Sequence, residues 1–490
     1  MGAADAISRS GWSNGSKFQG MSEVVSDIFA EAAVGDGLPA EQRRWAMFTY
    51  LIGLAMSVLD GNIANTALPS IASQLGASPE ASIWVVNAFL LAVAICVLPL
   101  SSLADIIGYK RVYQGGLALF IVASIGCSLP HSLTTLIMAR ALQGVAAAGM
   151  WSISAAMMRY TYPKALLGRA VGLSGIIVFT SAAAGPSIAS GILAIASWHW
   201  LFAINVPFGL LSLSLSERFL VKAPGTRHRW DLWSGVMNAV TVTLLITAIE
   251  DVGDAGRGPI VATELVGAAI LGTLMIRRQM KLRHPMLAVD LFKKPIFAMA
   301  TAASFCAFMG QGLAFVVLPF YFIDGLGVSQ VRAGLLLTPW PLAAGAMSYF
   351  SGKLADRYPF WVLGTIGMTV MTGGLLLLGL GPAHPTTLQI VWRAALGGTG
   401  FGFFGAPNNR ALVANAPRER AGGAGGVMTM SRLVGQAIGI ALVAVIFGLV
   451  AHGNATLRSA TLALIYGSGF TVLAAFVCFA SIRAPHLDAA

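Results

Sequence analysis

Charged residues are scarce in this sequence. Asp, Glu, Lys and Arg make up 10% of its 490 residues, whereas 56% of the residues are hydrophobic. A soluble protein carries roughly a quarter charged residues, so this composition excludes an ordinary soluble fold and predicts a chain that crosses a membrane many times. The net charge of +11 does not indicate a nucleic-acid partner, because the basic residues lie in short gaps between apolar runs, where they set membrane topology.

Cysteine and histidine, the common metal ligands, are few and dispersed. The four cysteines are isolated and the seven histidines lie in loops or near the ends of apolar runs, without the spacing of a metal site or a disulfide framework. The sequence also contains no nucleotide-binding loop. We therefore expect neither an enzyme nor a bound cofactor or metal. We expect a monomer that has membrane lipid as a partner.

Fourteen apolar runs are long enough to cross a bilayer as α-helices, which takes about 20 residues each. We number them spans 1 to 14. Span 10 is interrupted by Pro339 and Pro341, and membrane helices tolerate such breaks where neighbouring groups satisfy the backbone. The spans cover residues 46–68, 82–103, 112–130, 134–157, 170–194, 199–220, 231–250, 260–277, 296–321, 333–352, 360–381, 386–408, 423–450 and 460–482.

The basic residues predict how these spans are oriented. Of the 31 Lys and Arg residues, 25 fall in alternate loops and in the two tails, three fall in the remaining loops, and three lie within spans. Lys and Arg accumulate on the cytoplasmic side of a membrane. The sequence therefore predicts an even number of spans, with an N-terminal tail of residues 1–44 and a C-terminal tail of residues 485–490 both in the cytoplasm.

The two halves of the chain share landmarks in the same order and at similar spacings. An acid in a loop, an arginine within a span and an arginine after that span occur first as Asp105, Arg140 and Arg169 and again as Asp356, Arg393 and Arg420. This repeat predicts two six-helix bundles, residues 45–222 and 285–484, separated by a two-helix insert, residues 223–284. Two similar bundles with a site between them near the midplane are typical of transporters in which access alternates by rocking.

Five stretches of the sequence resemble signature motifs of one transporter family. They are LDGNIANTALP (59–69), LADIIGYKR (103–111), LIMARALQG (136–144), AAAGPSIASG (182–191) and WHWLFAINVPFG (198–209). Together they resemble the major facilitator superfamily, and within it the branch of fourteen-helix drug:proton antiporters. The resemblance covers residues 45 to 483.

This resemblance implies both a fold and an activity. The fold would be an all-α membrane protein with the major-facilitator fold, in which 14 transmembrane helices form two six-helix bundles plus two inserted helices. The activity would be multidrug efflux, and with it antibiotic resistance, in the cytoplasmic (inner) membrane of a bacterium. The proton gradient would be the energy source, and a small-molecule substrate and protons would be the partners.

The loop after span 2 and its counterpart after span 10 are candidates for a conformational latch. An acid beside a helix end and basic residues can hold one bundle against the other, and a glycine permits the tight turn. Ser101 stands where the family has a glycine, so the resemblance implies a weaker first latch. Topology-setting charge alone would explain the basic residues but not the acids. The candidates are Asp105, Gly108, Lys110 and Arg111 in the first copy and Gly352, Asp356 and Arg357 in the second.

Span 5 carries the motif that the resemblance assigns to antiporters. Ser181, Gly185 and Ala189 are four residues apart, so their small side chains form a stripe against which another helix can pack closely. Pro186 removes a backbone donor and favours a bend. The resemblance implies a hinge or a seal of the cavity at this bend, and a purely structural kink is the alternative.

Asp60 is the acid that lies farthest inside a span, about eight residues from the outer end of span 1 and therefore roughly 12 Å deep. It belongs to a helix face of small residues, which we expect to look toward other helices or a cavity. Arg140 lies at a similar depth in span 4. Charges within a membrane usually face a partner or a cavity, so Asp60 and Arg140 are candidates for proton coupling and substrate binding. The alternative for Arg140 is a side chain that snorkels to the outer surface. The face comprises Gly53, Ser57, Asp60, Ala64 and Ala67.

These residues favour proton-coupled efflux, by alternating access, of amphipathic molecules that are cationic or lipophilic. A carboxylate away from water can take up a proton, whereas a neighbouring arginine would favour its charged form. The second half of the chain has no acid in mid-span, which concentrates proton coupling on Asp60. The expected cavity is largely apolar with few polar groups. Its candidate lining residues are Asn62, Asn65, Trp84, Asn87, Phe89, Met309, Gln311, Phe315, Tyr321 and Trp340.

Two other functions compete with efflux. A proton-coupled importer or uniporter of a small polar solute would need more hydrogen-bonding residues in mid-span than this sequence has. A membrane receptor or scaffold would leave both the repeat and the inward-facing acid without an explanation.

Overall fold

The computed structural model of the chain describes residues 37–222, 225, 230–251, 256–282, 285–382, 385–450 and 455–483. Within these residues the chain forms helices and no strands, which confirms the predicted all-α class. The predicted C-terminal tail and residues 1–36 of the predicted N-terminal tail lie outside the described residues.

Seventeen α-helices occur in the described residues, and we number them in chain order. In the first half they are α1 (Ala40–Leu75), α2 (Pro79–Ile107), α3 (Tyr109–Ser128), α4 (Leu133–Ser152), α5 (Ser154–Thr161), α6 (Leu167–Ile195), α7 (His199–Ala203) and α8 (Asn205–Phe219). Two helices follow, α9 (Leu232–Asp251) and α10 (Gly258–Gln279). In the second half they are α11 (Pro295–Phe320), α12 (Gln330–Leu337), α13 (Pro339–Ala355), α14 (Phe360–Gly379), α15 (Thr387–Asn415), α16 (Ala421–Val450) and α17 (Ala455–Ala480).

The predicted spans fall on these helices, and three of the spans are divided. Span 4 forms α4 and α5, span 6 forms α7 and α8, and span 10 forms α12 and α13, which meet at Thr338 just before Pro339. In the described part of the chain, twelve helical segments have the length and hydropathy to cross a membrane. The segments of spans 10 and 12 are not among them, so the count of fourteen membrane crossings stays a prediction.

The first helix begins earlier than the sequence predicts. Helix α1 starts at Ala40, inside the predicted N-terminal tail, because residues 40–44 (AEQRR) are good helix formers that follow Pro39. Just before the helix, the Leu38 amide donates to the carbonyl of Thr161, the last residue of α5, at 3.0 Å. The start of α1 is thereby joined to the end of α5.

The helices pack as two bundles, α1–α8 and α11–α17, with α9 and α10 paired beside the first. Asn238 of α9 donates to the Ile95 carbonyl of α2 at 2.9 Å, and Trp230 donates to the Pro99 carbonyl at 3.3 Å. The assignment of these segments to domains with boundaries at 222 and 284 stays a prediction.

The bundles meet through two close helix pairs, α6 with α13 and α2 with α16. A Cβ atom on Gly168 of α6 would collide with the Gly352 carbonyl of α13. A Cβ atom on Gly422 of α16 would lie 2.8 Å from the Ser101 carbonyl of α2. Glycine therefore lets the backbones of the two bundles touch. We call the side of the molecule that carries the α2–α3 turn at Gly108 and the first turn of α16 the basic side.

Candidate functional site

Asp60 of α1 is 1% exposed, and three donors surround its carboxylate. Arg140 Nη1 donates to Oδ2 at 2.5 Å. Gln143 Nε2 and Asn205 Nδ2 donate to Oδ1 at 3.0 Å and 2.6 Å. The four residues lie on α1, α4 and α8, so they all belong to the first bundle. We call them the Asp60 cage.

Arg140 is fully buried within this cage. Its Nε donates to the Val85 carbonyl of α2 at 3.0 Å, and its Nη1 also donates to Gln143 Oε1 at 2.6 Å. The guanidinium lies over the ring of Phe89 at 4.4 Å and near that of Phe202 at 5.5 Å, where the ring faces attract a cation. Because none of its surface is exposed, the side chain does not snorkel to an outer surface, which was the alternative for this arginine.

A break in span 6 brings Asn205 to the cage. Pro207 has no amide hydrogen to donate back into the helix, and α7 ends at Ala203 while α8 begins at Asn205. Gln143 reaches the same carboxylate because it follows Arg140 by three residues and so lies on the same helix face. The sequence analysis missed both residues, although each lies in a quoted motif. A polar side chain one turn from Arg140, or beside a proline within a span, is the signal that could have identified them.

A proton on Asp60 would change the interactions within the Asp60 cage. Two opposite charges removed from water are held by their mutual attraction and by the hydrogen bonds that they make. A proton on Asp60 would remove its attraction for Arg140. The arginine would then keep Gln143, the Val85 carbonyl and the two ring faces as partners. Protonation would therefore weaken the contact between α1 and α4 without leaving the arginine unpartnered.

The predicted small-residue face of α1 is buried, as the sequence indicates. Gly53, Ser57, Asp60, Ala64 and Ala67 are all buried. They face helices of the same bundle: Tyr113 Oη lies against Gly53, and the Asp60 ligands come from α4 and α8. The face is thus sealed by protein in this conformation.

The two helices α1 and α4, which hold the Asp60–Arg140 pair, also carry residues that contact the second bundle. Ser57 lies one turn before Asp60 on α1 and accepts a hydrogen bond from Trp151 Nε1 at 2.9 Å. Trp151 lies on α4, three turns beyond Arg140. On its other side, the Trp151 ring lies 4.7 Å from the guanidinium carbon of Arg432, which belongs to α16 of the second bundle. The Asp60 cage and the bundle contact therefore share α1 and α4.

Asp356, a predicted latch residue, caps a helix of the opposite bundle. Its Oδ1 accepts from the Gly168 amide at 2.7 Å, in the first turn of α6, where amides lack partners within the helix. Arg410 Nε lies 3.4 Å from Oδ1, and Arg169 Nε lies 3.7 Å from Oδ2. The pKa of the Asp356 carboxyl lies above its usual value because the carboxyl is buried, although the Gly168 amide and the Arg410 guanidinium oppose this shift.

Asp105 occupies the equivalent position in the first copy. It accepts backbone hydrogen bonds from Gly422 and Gly423, in the first turn of α16, and a hydrogen bond from Tyr109 Oη at 2.6 Å. Ser101 packs against Gly422 at this contact. The space that a glycine would give on α2 is provided here by the glycine-rich start of α16. Each bundle thus caps one helix of the other on the basic side.

The remaining latch candidates have different roles. Gly108 adopts φ 96° at the α2–α3 turn, a conformation that favours glycine. Lys110 donates to the Glu217 carbonyl of α8 at 2.5 Å, so it joins helices within the first bundle. Arg111 and Arg357 are exposed. The structure therefore brings the two acids, but not these basic residues, to the contact between the bundles.

The antiporter motif lies against α1. Ser181, Gly185 and Ala189 are buried, and a Cβ atom on Gly185 would lie 2.8 Å from Asn62 Cβ. The stripe thus lets α1 and α6 pack closely, as its spacing predicts. Helix α6 continues through Pro186 from Leu167 to Ile195, and a role as hinge or seal stays a prediction.

The predicted lining residues differ in exposure. Five are buried, two are half-buried and three are exposed. Phe89 is buried against Arg140, and Trp340 is buried with Phe315 against its ring edge at 5.8 Å. Gln311 accepts from Gln436 Nε2 at 3.2 Å. The buried set is Phe89, Met309, Gln311, Tyr321 and Trp340; the half-buried set is Asn62 and Asn87; the exposed set is Asn65, Trp84 and Phe315.

Comparison with known proteins gives a consistent result. The family model described as Major Facilitator Superfamily matches residues 50–440. An uncharacterized transporter of Escherichia coli K12, YebQ, is 47% identical over 411 residues, which is 84% of this chain and 90% of that protein. The riboflavin transporter RibZ of Clostridioides difficile is 28% identical, over 89% of this chain and 96% of RibZ. The putative multidrug resistance protein MdtD of E. coli is 26% identical, over 86% of this chain and 90% of MdtD.

Two solved structures share the fold. The human organic anion transporter MFSD10 aligns with a TM-score of 0.63 at 12% identity, over 90% of this chain and all of that chain. The proton:xylose symporter XylE aligns with a TM-score of 0.63 at 15% identity, over 91% of this chain and 96% of that one.

Proposed function

Because the chain belongs to the major facilitator superfamily, we propose that it exports amphipathic small molecules in exchange for protons, by alternating access across the inner membrane of a bacterium. The basic side would face the cytoplasm, with both termini there. The observation that carries this proposal is the Asp60–Arg140 pair, an ionisable pair buried where charges are costly.

The proposed proton step takes place in the Asp60 cage. A proton that enters from the side opposite the basic side would neutralise Asp60 and loosen its contact with Arg140. Ser57 of α1 and Trp151 of α4 are hydrogen-bonded to each other, and Trp151 contacts Arg432 of the second bundle. A shift of α1 against α4 would therefore change the contact between the bundles. Release of the proton toward the cytoplasm would restore the ion pair.

The proposed conformational step uses the two cross-bundle caps. Asp356 at the start of α6 and Asp105 at the start of α16 hold the bundles together on the basic side. For the basic side to open, both caps have to break and the exposed helix amides have to find water. The caps would therefore favour the conformation that is closed to the cytoplasm.

The substrate class is supported in part by the relatives. MdtD is named a putative multidrug resistance protein, which agrees with efflux of lipophilic molecules and with a role in antibiotic resistance. A cationic preference has less support, because the Asp60 carboxylate is already occupied by Arg140, Gln143 and Asn205. We therefore propose lipophilic, amphipathic substrates and assign no cation site to Asp60.

A second candidate function is proton-coupled import, or uniport, of a small polar solute. RibZ is named a riboflavin transporter, and the hydrogen-bonded pair Gln311 and Gln436 provides polar groups in the second bundle. The direction of transport relative to the proton gradient separates this candidate from efflux.

Proteoliposomes loaded with a pH-sensitive dye test the proposal. For wild-type protein, we expect a lipophilic drug such as rifampicin to be driven against its own gradient by an imposed proton gradient, with measurable counterflow of protons. Asp60→Asn should abolish both fluxes, whereas Asp251→Asn, which also neutralises an acid but at the end of α9 where it pairs with Arg257, should preserve them. Proton-coupled transport that persists in Asp60→Asn, or substrate movement in the same direction as protons, would contradict the proposal.

A further inference from the structure

Arg432 is a cation deep in the second bundle. It lies eleven residues after Ala421, where α16 begins, which places it roughly 16 Å from that helix end. No Asp or Glu in the described part of the chain forms an ion pair with it, in contrast to Arg140, which pairs with Asp60. A charge at this depth in a membrane protein usually faces a cavity or a partner.

The surroundings of Arg432 belong to the opposite bundle. Its guanidinium lies over the Trp151 ring of α4 at 4.7 Å, and it interacts electrostatically with Tyr50 of α1. A ring face and a neutral phenol attract a cation but do not neutralise it. The residue as a whole is half-buried, and its guanidinium lies at the contact between the bundles.

Polar and aromatic groups lie beside this charge. Gln436, one turn after Arg432 on the same face of α16, donates to Gln311 Oε1 of α11 at 3.2 Å. Two phenylalanine side chains pack nearby. Phe308 Cβ lies against Gly435 of α16, and the centroids of the Phe308 and Phe401 rings are 5.3 Å apart. A molecule at this point would meet a cation, amide groups and ring edges.

We propose that Arg432, with Gln311 and Gln436, forms an anion-binding subsite at the contact between the bundles, and that the substrate is an amphipathic organic anion with an aromatic body. A guanidinium binds a carboxylate or sulfonate through two parallel hydrogen bonds, and the ring of the substrate would pack against Phe308 and Phe401. This inference rests on the proposed function, because it assigns the substrate of that exporter.

Electrostatics separates an anion from a cation at this point. The Asp60 cage is neutral overall, because Arg140 balances Asp60, so the cage does not offset the positive charge of Arg432. A cation held beside the guanidinium would be repelled, and an anion would be attracted, because water screens charges only partly at a protein surface.

The competing explanation is that Arg432 only braces the bundles by stacking on Trp151. In that case its removal would weaken binding of every substrate to a similar extent. A subsite for anions predicts instead that the effect depends on the sign of the ligand charge.

Equilibrium binding with two matched probes makes this distinction. The probes are 2-naphthoate and 2-naphthylmethylammonium, which share a ring system and differ in charge. Binding to full-length protein in nanodiscs is measured by calorimetry without a proton gradient. The variants are Arg432→Gln, Arg432→Lys and Arg432→Glu. The control is Arg332→Gln, which removes an exposed arginine that donates to Thr387.

We expect wild type and Arg332→Gln to bind 2-naphthoate in preference to the ammonium. Arg432→Gln should weaken 2-naphthoate binding about tenfold or more, the loss expected for hydrogen bonds to a charged group. The same variant should leave the affinity for 2-naphthylmethylammonium unchanged. Arg432→Lys should retain most of the affinity, and Arg432→Glu should reverse the preference. Equal loss of both probes in Arg432→Gln, or wild-type preference for the ammonium, overturns the inference.

Failure of this inference and failure of the proposed function are distinguishable. The binding assay uses no gradient, so it reports on the subsite whether or not protons are coupled. The proton counterflow of wild type against Asp60→Asn tests coupling whatever the sign of the substrate charge. If Arg432→Gln misfolds, Arg432→Lys still tests the inference, because this variant keeps the charge and therefore has to bind 2-naphthoate.

Discussion

Arg140 Nη1 and Asp60 Oδ2 lie 2.5 Å apart, and neither side chain is more than 1% exposed. The pair joins α4 to α1 inside the first bundle, and Gln143 and Asn205 also donate hydrogen bonds to the Asp60 carboxylate. Each charge depends on the other, because burial makes an unpaired charge costly. The pair is therefore both a structural joint and the place where a proton would have the largest effect.

Removal of Arg140 alone should destabilise the protein strongly. We expect Arg140→Met to lower the free energy of unfolding by about 3 to 5 kcal/mol, because Asp60 stays buried without its partner. The double variant Asp60→Asn with Arg140→Met should recover most of this loss, yet should not transport. Thermal unfolding in nanodiscs measures the effect, and a single variant as stable as the double variant would show that the pair is not coupled.

Asn205 should contribute to the same site. We expect Asn205→Ala to lower the free energy of unfolding by about 1.5 to 3 kcal/mol, the range for a hydrogen bond to a charged group. Asn65→Ala is a matched control, because Asn65 is exposed and donates only to the Gly61 carbonyl at 3.5 Å. Equal unfolding temperatures for the two variants would argue against the cage.

The close contact at Gly168 should control access from the basic side. A Cβ atom there would collide with the Gly352 carbonyl, whereas a Cβ atom on Gly191 of the same helix meets nothing within 4 Å. Ser348 of α13 is buried against Gly175 of α6 at the same contact. In a cysteine-free background with Ser348→Cys, we expect Gly168→Ala to increase labelling by an impermeant thiol reagent several-fold, and Gly191→Ala to leave it unchanged. Similar labelling in both would mean that this contact does not close the basic side.

Closure of the basic side should depend on pH through Asp356. Burial in the closed conformation raises the pKa of this carboxyl, so the closed conformation binds the proton more tightly than an open one in which the carboxyl meets water. The closed conformation should therefore become more stable, relative to the open one, as pH falls toward this pKa and less stable as pH rises above it. The labelling rate of the Ser348→Cys variant should rise with pH. Adding Asp356→Asn should remove the part of this rise that comes from the Asp356 carboxyl. A slope of the opposite sign would contradict the prediction.

Trp151 should support the anion subsite through its ring face. Trp151→Phe keeps a face beneath Arg432 but loses the hydrogen bond to Ser57, so 2-naphthoate binding should change little. Trp151→Leu removes the face, and we expect Arg432 to become less ordered and binding to weaken about tenfold. Ser57→Ala is the control for the lost hydrogen bond. Equal binding in the Phe and Leu variants would remove Trp151 from the subsite.

The sequence by itself determined the class of the protein. Scarce charge and long apolar runs require that every buried backbone group be satisfied within a helix, so the all-helical fold, the repeat and the isolated position of Asp60 could be predicted. The face that includes Ser57 and Ala64 also follows from helical spacing alone. The start of α1 at Ala40 was placed too late, because helix ends depend on local residues more than on hydropathy.

Only the tertiary structure decided which polar groups meet. Asp60 and Asn205 are 145 residues apart in sequence, and nothing in their local patterns states that the break at Pro207 turns one toward the other. Asp105 and Asp356 were predicted to form latches, but their partners, the amides at the starts of α16 and α6, carry no side-chain signal at all. The physical reason is that helix periodicity fixes the face on which a residue lies, whereas the partner of that face depends on how separate helices pack.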